Sequence, residues 1–190
     1  DVTDALLNTS IGEAAGDALT TGASNTLLGY SSGTANSTGS NNTAVGSGSL
    51  VANTTGTDNS AVGVNALTAN TTASNNTAVG SGALDANTTG TSNVAIGYKA
   101  QETSTAVGGI TAVGYHALKA LSTGTGATGI GYRALEANTT GTQNVAIGYD
   151  ALKANTTGDD NVAVGYNALG ANTTASNNTA VGNYALDAVT

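Results

Sequence analysis

Aliphatic and small residues return along this chain with a period of 17. A glycine recurs at Gly12, Gly29, Gly46, Gly63, Gly80, Gly97, Gly114, Gly131, Gly148, Gly165 and Gly182. Immediately before it stands a large aliphatic in every copy, among them Ile11, Leu28, Val62, Val79, Ile96 and Val164. One position earlier the residue is mostly Ala, as at Ala44, Ala78, Ala146 and Ala180. An unbroken period of this length implies one supersecondary unit stacked on itself, so each position of the repeat becomes a column. The β-preferring aliphatics predict a short strand at Ala-Val-Gly, with the Val/Ile column buried. Because Ala-Val is apolar on both faces, such a strand needs cover on two sides. A thin coil supplies only one, so the other face predicts self-association, as a homotrimer.

Four residues after the glycine comes Leu in eight copies: Leu50, Leu67, Leu84, Leu118, Leu135, Leu152, Leu169 and Leu186. The surrounding Ala-Leu-x-Ala spacing does not alternate, which predicts a bend or irregular strand. Two and five residues after the glycine the columns vary between charged and polar side chains, and all four basic residues (Lys99, Lys119, Arg133, Lys153) lie in these two columns. They read as the solvent side. Asn-Thr-Thr-Gly then marks a corner, because Asn tolerates left-handed backbone and Gly accepts positive φ. Asn53, Asn70, Asn87, Asn138, Asn155 and Asn172 form one column suited to an amide ladder, and Asn59, Asn76, Asn93, Asn144, Asn161 and Asn178 form a second.

The predicted fold is all-β: a parallel β-solenoid of eleven 17-residue coils in one domain over residues 1–190. At the usual strand spacing this is a rod roughly 50 Å long. The coil at 97–113 breaks the pattern. Gln101 replaces the ladder Leu, the Asn-Thr-Thr-Gly corner is lost, and Thr-Ala-Val-Gly appears out of phase at 105–108. With Leu121 placed to compensate by packing, this coil is the expected irregularity and a weak candidate for a binding feature.

Composition narrows the picture. Phe, Trp, Met, Pro and Cys are absent and 8% of residues are charged, which suits a narrow coil rather than a broad core. Without Cys there is no disulfide or thiolate metal site. A net charge of −8 disfavours nucleic acid and anionic membrane surfaces, and no stretch approaches the ~20 apolar residues of a membrane-spanning helix. The start at Asp1 without Met is that expected of a processed protein or a piece of a longer one.

Asn-Thr-Ala-Val-Gly at 42–46 and 178–182, with Asn-Val-Ala-Ile-Gly at 93–97 and 144–148, resembles the head repeat of trimeric autotransporter adhesins, the YadA-like head, whose core reads Asn-Ser-Val-Ala-Ile-Gly. The fuller unit, Gly-Tyr-x-Ala-Leu-x-x-Asn-Thr-Thr-Gly at 148–158, is also similar to repeats of phage-type tail fibres that carry a self-cleaving chaperone domain. The resemblance covers nearly the whole chain. It implies a left-handed β-roll, three chains about one axis, and an extracellular place on a cell or virion surface. The 17-residue coil is longer than the usual adhesin repeat, which implies an enlarged corner.

No residue pattern points to catalysis, a cofactor or a metal, and the chain reads as a non-enzyme. His116 is the only histidine and is expected to be an ordinary exposed side chain. Asp58 and Asp159-Asp160 could offer oxygens to a hard cation but read as solvated corner residues. The glycines lack the Lys-Ser/Thr of a phosphate loop. Tyr98, Tyr115, Tyr132, Tyr149 and Tyr166 form a column on the same side as Val/Ile, which assigns them to packing, with carbohydrate stacking as the alternative. Asn53-Thr54-Thr55 matches a glycosylation signature, yet reads as a corner. The expected function is an adhesive or structural segment of an extracellular trimeric fibre whose partners are its own copies and a host or cell-surface glycan or protein. Ice binding through stacked Thr-Gly-Thr (55–57, 89–91, 123–125 and 140–142) is one alternative, weakened by the middle Gly and by Asp159. A self-assembling filament is the other.

Overall fold

The computed structural model of the chain describes residues 6–187. Its strands are all three residues long: β1 Thr9–Ile11, β2 Thr26–Leu28, β3 Thr43–Val45, β4 Ser60–Val62, β5 Thr77–Val79, β6 Val94–Ile96, β7 Thr111–Val113, β8 Thr128–Ile130, β9 Val145–Ile147, β10 Val162–Val164 and β11 Thr179–Val181. They form one parallel eleven-stranded sheet in chain order. Each strand pairs with the next exactly one repeat on, Ala44 with Ala61 and Ala61 with Ala78. The protein is therefore a β-solenoid of about ten turns, 17 residues apart, with the glycine ending every strand. At that glycine φ lies between 128° and 139°, a conformation essentially closed to residues with a Cβ. A Cβ at Gly46 would also stand 2.5 Å from the Gly63 carbonyl oxygen of the next coil. Dihedral and space together make this column invariant.

The strand points the opposite way from the sequence reading. Ala44, Ala61, Ala78 and Ala95 are fully buried, whereas Val62, Val79, Ile96 and Ile147 are 37–39% exposed. In a three-residue strand only one of two neighbours faces inward, and the coil interior is so narrow that it takes a methyl. The branched side chain is left outside. Gly129 holds the same inward slot with room for little more, since an added Cβ would lie 3.1 Å from the Ala134 carbonyl oxygen. Leu27 is the instructive exception: it occupies the slot fully buried, and glycines replace the ladder Leu at Gly16 and Gly33, each within 3.0 Å of Leu27 methyl groups if it carried a Cβ. Volume has moved across the coil while the total is kept.

The ladder leucines are buried as expected, from Leu50 to Leu169, and reach the interior through left-handed backbone. Leu67 has φ 53°, Leu118 52° and Leu152 48°. For a bulky residue this conformation costs about 1–3 kcal/mol, offset by roughly 1.5–3 kcal/mol for burying the side chain. Two positions earlier Asn65, Lys99, His116, Arg133, Asp150 and Asn167 are also left-handed, so two such residues flank one Ala and turn the chain sharply. The corner at Asn-Thr-Thr-Gly differs from expectation. Neither Asn53 nor Gly56 has positive φ; the left-handed residue comes later, at Asn41, Asp58, Asn75, Ser92, Gln143 and Asp160.

What Asn-Thr-Thr-Gly does instead is turn a carbonyl inward onto two amide ladders. Asn59 Nδ2 donates to the Ala73 carbonyl oxygen at 2.9 Å and Asn70 Nδ2 donates to the same oxygen at 3.1 Å. Asn42 and Asn53 likewise converge on Gly56, and Asn144 and Asn155 on Gly158. Between coils, Asn76 N–H donates to Asn59 Oδ1 at 3.0 Å and Asn70 Nδ2 to Asn53 Oδ1 at 2.9 Å. The position of Gly56 does not demand glycine, since Ala73, Val107 and Ala175 stand in its column. One half of the interior is thus aliphatic and the other is an amide network, in which Asn87 Oδ1, next to the coil that breaks the ladder, is left unpaired.

Both amide ladders stop together. Ser104 and Ile110, then Leu121 and Ala127, replace the asparagines of two successive coils. Val107, Ile110, Leu121 and Ala127 are buried and plug the interior with apolar side chains, which bears out packing by Leu121. The strands run through this region in register, Ala95 opposite Ala112 opposite Gly129, and 105–108 forms no strand. The irregular coil therefore differs inside, not outside: Gln101 and Ser104 are fully buried, with Gln101 Nε2 and Oε1 and Ser104 Oγ unpaired.

The inverted burial separates two substitutions. Leu67→Ala is expected to destabilise the chain by about 2–5 kcal/mol, as other buried leucines do. Val62→Ala, on the outer face, should cost well under ~1 kcal/mol in any state where that face is wet. Urea titration of both variants under dissociating conditions measures the difference, and equal losses would contradict the assignment of inner and outer columns.

Candidate functional site: the stacked tyrosine face

The residue after the invariant glycine leaves the strand on the outer side. Tyr98, Tyr115, Tyr132, Tyr149 and Tyr166 occupy this column in five successive coils and are 38–46% exposed. They share a face with Val/Ile, as the alternation requires, but that face is the outside of the coil, so they do not pack within it. Stacking of coils stacks the rings. Centroids are 5.5, 5.1, 4.7 and 5.2 Å apart and ring planes lie within 9–15° of parallel. At the end of the row Tyr184 meets Tyr166 edge-on, at 5.2 Å and 61°. Ring faces inside the row are covered by other rings. What the row offers outward is a line of ring edges and hydroxyls, so a sugar cannot lie flat on its interior members.

A charged border runs beside the row. Arg133 Nε and Nη2 donate to both oxygens of Asp150 at 2.9 and 2.7 Å, with Lys153 Nζ 3.8 Å from the same carboxylate. Glu102 lies between Lys99 at 2.5 Å and Lys119 at 3.7 Å. The Arg133 guanidinium is 4.9 Å from the Tyr132 centroid and Lys99 Nζ 5.8 Å from that of Tyr98, both in cation–π range. Hydrogen bonding to Glu102 raises the Lys99 pKa, and hydrogen bonding to Asp150 raises that of Arg133. His116 departs from the exposed residue expected: its ring stacks on Tyr115 at 3.9 Å and its Nδ1 lies 3.1 Å from Glu136 Oε1, leaving the side chain 13% exposed.

The remaining candidate chemistry resolves into structure. Asp159 Oδ1 accepts from the Thr142 N–H at 2.7 Å and from its hydroxyl at 3.0 Å, while Asp58 accepts from Asn41 Nδ2 at 3.1 Å. Among the described residues no three His, Cys, Asp or Glu side chains gather as a metal set. Asn53 is buried in the folded coil with its amide engaged. The Thr-Gly-Thr grid is interrupted as a free surface: Thr57 Oγ1 donates to Ser74 Oγ and Thr142 Oγ1 to Asp159, while Thr55, Thr89, Thr123, Thr140 and Thr157 are exposed in the first column and Thr91 and Thr125 in the second. The tyrosine row and its ion pairs had a readable signal in sequence, since Arg133 and Asp150 are one repeat apart. Covered ring faces had none.

The row carries a pH dependence. Hydrogen bonding to Tyr184 raises the Tyr166 phenol above its ordinary value of 10.0. A raised folded-state pKa gives a contribution complete below the unfolded value and lost as pH rises through the folded one. Thermal stability is expected to be flat from about pH 7 to 9 and to fall above about pH 10, with the fall reduced in Tyr184→Phe. Melting curves followed by circular dichroism across that range measure it.

No protein-family model, curated protein or solved structure matches this chain.

Proposed function

We propose that this chain is a non-enzymatic segment of an extracellular homotrimeric attachment fibre, with left-handed coils and the Val/Ile stripe of each copy packed against its neighbours. The observation that carries this reading is the stripe itself. Every coil presents one large aliphatic outward, from Ile11 at 52% exposure through Val62 at 37% to Val181 at 70%. A continuous apolar line of that length is rare on a monomer and marks an interaction surface. Its pitch is set by the coil, so a second copy matches it residue for residue. Cyclic symmetry closes such an assembly without leaving a free stripe.

Attachment follows from repetition. The tyrosine edges, the threonine file and the charged border recur along the rod, and repeated weak contacts on a rigid array combine into strong binding to a surface that also repeats, such as a glycan coat. No single outer side chain is then indispensable. The self-assembling filament shares the same stripe and differs only in lacking a receptor.

Sedimentation equilibrium of the purified chain is expected to return a trimer mass. Val79→Asp combined with Ile96→Asp should dissociate it, because each copy would bury unpaired carboxylates. A stable wild-type monomer at micromolar concentration would overturn the assembly. Binding to immobilised cell-surface glycans should fall little with any one outer substitution and steeply when coils are removed, and no thermal hysteresis should accompany it.

A further inference from the structure

The chain contains no Cys, Met or Trp, so the sulfur and indole groups that ordinarily take up oxidising equivalents are missing. Its seven tyrosines are then the most easily oxidised side chains. Five stand in the near-parallel row from Tyr98 to Tyr166, and Tyr184 ends the row edge-on to Tyr166. Tyr30 lies four coils before Tyr98, outside the row, and is 60% exposed.

We propose that the row is a one-electron relay and that its terminus, the Tyr166–Tyr184 pair, is a site of dityrosine formation. A one-electron oxidant, such as a peroxidase ferryl haem or a photogenerated ruthenium(III) complex, takes an electron from an exposed ring edge. The phenolic proton passes to water and a neutral phenoxyl radical remains. The adjacent ring reduces it by giving up one electron, with proton exchange through water, so the electron hole moves one rung while no heavy atom moves. Centroid steps of 4.7–5.5 Å between near-parallel rings keep each ring in offset-stacking contact with the next, so every step is short.

Geometry also decides where the radical ends. Carbon–carbon coupling joins the positions ortho to the two hydroxyls, and rings stacked face to face cannot bring those edges together. Tyr166 and Tyr184 meet at 61° with centroids 5.2 Å apart, which sets an edge of one ring against the other. A second oxidation supplies the second radical, the two unpaired electrons form the bond, and the two displaced ring hydrogens are lost from carbon as the phenols re-form. In sum, two electrons go to the oxidant and two protons to water. The product is a covalent staple between the last two described coils.

The absence of cysteine makes the test direct. Ser81→Cys places a unique thiol in the tyrosine column one coil before Tyr98, where a ruthenium photo-oxidant can be attached. Tyr166 then lies four rungs beyond Tyr98, roughly 19 Å at the usual strand spacing. Illumination with a sacrificial acceptor is expected to yield dityrosine fluorescence, and peptide mass spectrometry should place the bond between Tyr166 and Tyr184 of one chain. Tyr184→Phe should abolish that bond. Tyr132→Leu should lower its yield several-fold with the tethered oxidant and leave it unchanged with the same complex free in solution, a contrast that a folding defect would not produce. Equal yields from the tethered oxidant with and without Tyr132 would overturn the relay. Oxidation scattered over the rings, Tyr30 included, with no Tyr166–Tyr184 bond would overturn the coupling site.

Discussion

Hydrogen bonding between backbones one repeat apart governs this protein. It extends well beyond the three-residue strands: Leu50 N–H donates to the Ala66 carbonyl, Ala69 to Asp85, Thr71 to Thr88 and Asn75 to Thr57. The chain is thereby locked at one strand spacing per coil around most of its circuit, and whatever side chain occupies a position meets its counterpart above and below. Neutral residues profit from this arrangement. Asparagine extends an amide ladder, tyrosine stacks and leucine fills. A charged column cannot be uniform without stacking like charges, and the two charged columns are accordingly mixed, with Arg133 above Asp150 and Glu102 between Lys99 and Lys119.

The same constraint divides the interior. A coil too narrow for large side chains along its whole wall still has backbone to turn, and at the Asn-Thr-Thr-Gly corner a carbonyl faces inward with no strand partner. An unpaired buried carbonyl would be costly. Two asparagines from different positions in the repeat meet it, and each is held by the coil beside it. Where both asparagines are replaced, the interior becomes aliphatic around Ile110 and Leu121, and the polar remnants Gln101 and Ser104 are left without partners. Satisfied networks and dry cores each serve; the boundary between them carries the strain.

The period, the strand positions, the leucine ladder and the amide columns were legible because each is a matter of residue type at fixed spacing. Which neighbour in Ala-Val faces inward was not. Hydrophobicity favours Val as the buried residue, and only the width of the coil, visible in three dimensions, reverses the choice. The left-handed leucines were equally hidden, since local preference argues against them and the gain in burial comes from other coils. For the tyrosine column, alternation placed Tyr98 with Ile96 correctly and the error in facing was inherited from the strand. His116 was misread for a related reason: beyond the adjacent Tyr115, its covering partners Tyr98 and Glu136 are its neighbours only once the coils stack.

The exchange of volume at Leu27 reaches further than one coil. Its side chain fills space vacated by Gly33 in its own turn and by Gly16 in the turn before, so the sequence of one turn dictates a residue in another. Elsewhere, turns built on Ala and Leu present the same inner shape on both sides and are interchangeable parts, open to duplication or loss in whole units. The segment from Gly16 to Gly33 is not. It can be inherited only as a linked pair, a joint that recombination cannot cut without leaving either a clash or a void.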